Sequence, residues 1–124
     1  MYDKLSQFYE DSLTSLKFYV NSTLKQIETV NANQLLLDYL RDNGYTGTKL
    51  GCGEGGCGAC TVVIAEYDAN TKLIKYRTAN SCLLPLCAVH NKQVITVEGI
   101  GCPERPHPVQ VNKNVSPFYF FSNF

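Results

Sequence analysis

Residues 51–60 read GCGEGGCGAC and run directly into TVVIAEY at 61–67. Five glycines and three cysteines in ten residues make a poor helix and a poor strand, because glycine costs backbone entropy in either. The β-branched run that follows suits a central strand. The spacing therefore predicts an irregular loop over 44–58 that delivers the chain into a strand over 60–67. Upstream stands NANQLLLDYLRDNG, with Leu36, Leu37 and Leu40 at helical spacing. A helix is expected over 33–42, capped by Asn31 or Asn33 and ended by Gly44 in the left-handed conformation.

Farther out, Leu16, Phe18 and Val20 alternate with Lys17 and Tyr19. That pattern marks a half-buried strand. A two-residue turn at Asn21-Ser22 and a second alternating run over 24–30 make a hairpin. Downstream, residues 68–71 form a turn, 72–78 a second arm, 82–90 a loop or short helical turn around Pro85, and 93–98 a last strand. This order places the chain in the α+β class, as a mixed sheet with one helix packed across it.

The chain has 124 residues, enough for one domain. Hydrophobic residues make up 44% and charged residues 18%, so disorder is excluded as the main state. Eleven Lys and Arg balance eleven Asp and Glu. That balance argues against a nucleic-acid or anionic-membrane binder. No apolar run approaches the roughly 20 residues of a membrane span. The opening MYDKLSQFYEDSLTS lacks a basic and then apolar leader, so a cytoplasmic location is expected. Three segments follow from composition: an N-terminal extension over 1–15 with partial helix, the folded domain over 16–101, and a Pro-rich, aromatic tail over 102–124.

In a reducing compartment, clustered cysteines are metal ligands or catalytic thiols more often than disulfides. Cys52, Cys57 and Cys60 stand in a C-x4-C-x2-C pattern, with Cys82 farther along. This is the plant-type spacing for one 2Fe-2S cluster. Four thiolates around two irons leave net negative charge, which backbone N–H groups can stabilise if the chain comes close. Gly51, Gly53, Gly55, Gly56 and Gly58 supply such a backbone. A zinc site would pair its cysteines as two C-x2-C knuckles, and Cys82 has no such partner. Gly51, Gly53 and Gly56 spell a dinucleotide fingerprint, but that motif follows a strand and opens a helix, the reverse of the order here. Cys87, in LLPLCAVH, reads as a buried inert thiol, and Cys102 as a loop thiol. His90 and His107 read as ordinary surface or loop residues. The sequons at Asn21 and Asn114 stay unmodified without a secretory route.

The run over 16–110, with GTKLGCGEGGCGACTV at 47–62, ITVEGIG at 95–101 and HPVQ at 107–110, resembles the N-terminal ferredoxin-like domain of xanthine dehydrogenases. It is similar to aldehyde oxidases too, the other branch of the molybdenum hydroxylases. The resemblance implies a β-grasp fold, with cluster ligands at Cys52, Cys57, Cys60 and Cys82. It also implies one-electron transfer between a molybdenum site and FAD, with flavin and molybdopterin domains or subunits as partners. In that family HPVQ leads into a second cluster domain, whereas here VNKNVSPFYFFSNF follows. A truncated electron-transfer module, not catalytic alone, is therefore the leading expectation. A stand-alone ferredoxin serving another redox protein and a non-redox structural remnant are the alternatives. Gln110 belongs to HPVQ and is no molybdenum-site glutamine.

Overall fold

The computed structural model describes residues 15–102 and 104–111, with Val109 and Val111 as backbone only. The extension through residue 14, including its expected helix, and the aromatic end from 112 lie outside the described residues.

Strand β1 (Leu16–Val20) buries alternate residues, with Leu16, Phe18 and Val20 inward. It turns back into β2 (Thr23–Ile27) through Asn21, whose φ of 54° is one that Asn tolerates better than most residues. The hairpin register pairs Leu16 with Ile27. There β1 ends, so the expected continuation of β2 to residue 30 finds no partner in this hairpin. Helix α1 (Leu36–Asp42) starts later than its apolar spacing predicts. Neither asparagine caps it: Asn31 Oδ1 instead accepts the Asn33 amide at 3.0 Å in a local turn. Leu35 is still extended and bridges Pro85. Gly44 does end the helix region with φ 88°, as expected, and the Tyr45 amide returns to Leu40 O at 2.9 Å.

After the glycine loop come β3 (Thr61–Asp68) and β4 (Leu73–Asn80), then a 3-10 turn at Leu86–Val89, β5 (Gln93–Ile95), a second 3-10 turn at Val97–Gly99, and the single helical turn α2 (Pro108–Val111). The last strand is shorter than expected, because the chain turns away after Thr96. The sheet order is β2-β1-β5-β3-β4. Only β1 and β5 run parallel; the other neighbours are antiparallel. This is the mixed sheet with one helix across it that the sequence predicts, a ferredoxin-like β-grasp.

The core fills the inner face of the sheet. Leu36, Tyr39 and Leu40 of α1 meet Phe18, Val20, Val62 and Val94, with Leu86 and Val89 closing the end. The Phe18 and Tyr39 rings meet edge-on at 5.4 Å. Helix α1 packs only on this side. The outer face presents Leu24, Tyr19, Gln93, Ala65 and Tyr76 in register across all five strands. Because Leu40 is completely buried, Leu40→Ala should lower unfolding free energy by about 2–5 kcal/mol. Tyr76→Ser on the outer face should change it by less than about 0.5 kcal/mol. Urea denaturation followed by circular dichroism measures both.

Candidate metal centre

The loop between α1 and β3 folds around sulfur. Cys52 Sγ accepts three backbone amides: Gly56 at 3.2 Å, Cys57 at 3.3 Å and Glu54 at 3.4 Å. Cys57 Sγ accepts two, from Cys52 at 3.3 Å and Ala59 at 3.5 Å. A chain that points successive N–H groups inward cannot also spend them on a helix or ladder, which is why these residues are irregular. The backbone amides of Glu54, Cys57 and Gly56, in that order of effect, pull the Cys52 thiol down to about 6, with the Cys57 thiol adding to them. Thiolate, the form that binds metal, is thereby favoured at neutral pH.

Glycine is required here for two separate reasons. A Cβ on Gly51 would stand 2.5 Å from Cys57 Sγ and 3.3 Å from Ala59 Cβ, so this position must stay bare. Gly55 has φ 82°, a conformation that L side chains rarely adopt. Gly53 and Gly58 share that conformation, at 70° and 73°. Gly56 has neither constraint, and its contribution is the amide on Cys52 Sγ.

Cys60 and Cys82 meet from separate segments. The β3–β4 register pairs Thr61 with Asn80, so the residues just outside that pair lie at the mouth of one hairpin. Their sulfurs are 3.2 Å apart, far beyond the roughly 2.05 Å of a disulfide. None of the six cysteines is in a disulfide. Both thiols are buried, in contact with Leu37 of α1. The neighbouring Cys60 thiol first, and burial after it, push Cys82 up, while the Gly55 amide works in the opposite direction. Ser81 braces the pair: its hydroxyl donates to Cys60 O at 2.7 Å, and its own carbonyl accepts the Leu37 amide at 3.0 Å. Nothing in the sequence points to Ser81 or Leu37 as supports, because their role depends on where α1 lands.

The four predicted ligands thus form two pairs, one exposed (Cys52, Cys57) and one buried (Cys60, Cys82). Among the described residues, no three Cys, His, Asp or Glu side chains converge as a mononuclear site would need. Two thiol pairs, inward amides and a bare Gly51 fit a binuclear, thiolate-bound, negatively charged group. Cys87 does not join them. It is exposed rather than buried as its apolar neighbours predict. The Leu86–Val89 turn has three residues per turn, so Leu86 and Val89 share the inward face and Cys87 points out. Cys102 is exposed near Arg105. His90 is half-buried just ahead of β5, where its Nδ1 accepts the Lys17 amide at 3.3 Å, and His107 is exposed.

Comparison with known proteins agrees with this geometry. The chain is 48% identical over 106 residues to a xanthine dehydrogenase of Emericella nidulans, covering 86% of this chain and 8% of that protein. It is 49% identical over 102 residues to a human (Homo sapiens) aldehyde oxidase, covering 81% of this chain and 8% of that one. The structure superposes on the aldehyde oxidoreductase from Desulfovibrio gigas with a TM-score of 0.63 and 35% identity, over 77% of this chain and 10% of the other. The chain spans less than a tenth of the length of these curated relatives. Residues 18–87, more than half of the chain, match the 2Fe-2S iron-sulfur cluster binding domain, and the chain belongs to that family.

Proposed function

We propose that Cys52, Cys57, Cys60 and Cys82 hold one 2Fe-2S cluster, one thiol pair to each iron. On this reading the chain is the electron-relay module of a xanthine dehydrogenase-like molybdenum hydroxylase, with flavin- and molybdopterin-bearing parts as partners, in the cytoplasm. The observation that carries the assignment is the division of the thiols into two pairs under converging amides. The likeness to xanthine dehydrogenases and aldehyde oxidases supports the setting. Residues 16–101 form the cluster domain in this reading, flanked by the segments 1–15 and 102–124. No helix among the described residues is long and apolar enough to cross a membrane.

Bound there, a 2Fe-2S cluster supplies one-electron uptake and release. The chain's own residues do the rest. Amides of Glu54, Gly56 and Cys57 stabilise negative charge at Cys52, and those of Cys52 and Ala59 do so at Cys57. Buried Cys60 and Cys82, backed by Leu37, keep water from the inner side. Exposed Cys52 and Cys57 leave the outer side within reach of a redox partner.

Purified anaerobically, the protein should be red-brown and should show a rhombic paramagnetic signal after one-electron reduction. Colourless protein with stoichiometric zinc would overturn the assignment. Cys57→Ser should lose most of the iron and the signal, while Cys87→Ser should keep both, as read by iron content per chain. Gly51→Ala places a Cβ against Cys57 Sγ. Iron incorporation should drop well below wild type while the far-ultraviolet circular dichroism of the sheet stays unchanged.

A further inference from the structure

Residues 46–48 lead into the cluster loop and are gripped from two sides. On one side stands Glu98, in the 3-10 turn after β5. Its Oε1 accepts the Gly47 amide at 2.6 Å, and its Oε2 accepts the Thr96 hydroxyl at 2.6 Å. Thr96 is buried and locked to the β1–β2 turn: its amide donates to Asn21 Oδ1 at 3.0 Å, and Asn21 Nδ2 donates to its hydroxyl at 3.2 Å. Neither Gly47 nor Gly99 has room for a side chain, since a Cβ on Gly47 would collide with Val97 and Glu98, and one on Gly99 with Asn21. On the other side, Arg41 at the end of α1 donates from Nη1 to Thr46 O at 3.1 Å and Thr48 O at 2.9 Å. Lys49 Nζ adds a bond to Thr46 O at 2.8 Å.

A carboxylate therefore takes the amide of this short run while two cations take its carbonyls. Hydrogen bonds to ionised partners are roughly twice as strong as neutral ones. Two further features carry the grip into the loop. Thr48 is buried, and the Lys49 amide donates to Ala59 O at 3.0 Å, closing the base of the loop that contains Cys52 and Cys57.

We propose that Glu98 and Arg41 are positioning residues for the cluster. By fixing 46–48 they set where Cys52 and its sulfur-directed amides stand, and so set how tightly iron is held and at what potential it is reduced. The proposal rests on the ligand assignment above. Neither residue touches a ligand sulfur; each acts through the backbone of the loop base. Loosening the base lengthens the N–H···S bonds on average. These bonds stabilise the reduced form, which carries the extra negative charge, more than the oxidised one.

The test uses the full chain loaded with cluster, comparing wild type, Glu98→Ala, Glu98→Gln and Arg41→Ala. Glu98→Ala removes a charge-assisted hydrogen bond, so release of iron to a chelator should quicken about tenfold. Its midpoint potential, from a redox titration followed by paramagnetic resonance, should move to more negative values. Glu98→Gln keeps an acceptor for the Gly47 amide and should restore most of both properties. Arg41→Ala, on an exposed helix surface, should shift both in the same direction as Glu98→Ala, and it decides the matter if Glu98→Ala does not fold. Wild-type potential and wild-type release in both alanine variants, even with a lower melting temperature, would overturn the proposal. A wild-type chain that takes up no iron would instead overturn the ligand assignment, and the positioning role with it.

Discussion

The structure depends on backbone amides that point at sulfur. Five of them converge on Cys52 and Cys57 within eight residues of chain. An amide turned toward a thiolate cannot pair with a carbonyl in a helix or sheet, so this segment gives up the interactions that order a chain. Its order has to come from its two ends. Helix α1 and the loop base supply one end. The β3–β4 hairpin, with Cys60 just before β3, supplies the other.

The remainder of the fold makes those two ends rigid relative to each other. Helix α1 lies across the sheet on Phe18, Val20 and Val94. It also receives the Ser81 carbonyl at its first turn and sends Arg41 to the loop base from its last. Through Leu37 and Arg41, a helix of seven residues thus reaches the supports of both thiol pairs. Among the described residues α1 covers one face of the sheet, while Tyr19, Tyr67, Ile74 and Tyr76 on the other are about half-exposed or more.

The four cysteines that the fold gathers into two pairs were legible in the sequence as candidate ligands, because thiolate chemistry restricts the residue types and the loop restricts their spacing. The glycines were legible as a group but not one by one: Gly51 is fixed by contact and Gly55 by φ, and Gly56 by neither. Leu36, Leu37 and Leu40 announced α1, yet its start was misplaced, since Asn31 satisfies a nearby turn before any helix needs a cap. Cys87 shows the limit of composition. Apolar neighbours imply burial only until the period is known, and a 3-10 turn sorts them differently from a strand. Glu98 and Ser81 were invisible for a deeper reason. Both act on the backbone of residues far away in sequence, Glu98 on an amide and Ser81 on a carbonyl, and a backbone group leaves no signature in the residue that carries it.

The sheet order has a consequence for how the chain is made. Strand β5 lies in the middle of the sheet, between β1 and β3, but it follows both in sequence. During synthesis from the N-terminus, two hairpins, β1–β2 and β3–β4, are complete before the strand that joins them exists. Hairpins close in microseconds, whereas ribosomes add about 5–20 residues per second. All four thiols, through Cys82, therefore emerge while the two halves are still separate and Glu98 has not yet been added. For that interval the sulfurs stand in a chain with no closed core behind them, open to adventitious metals and to oxidants. The last strand of the sheet to be synthesised is its middle one, and its arrival joins the two hairpins into one sheet.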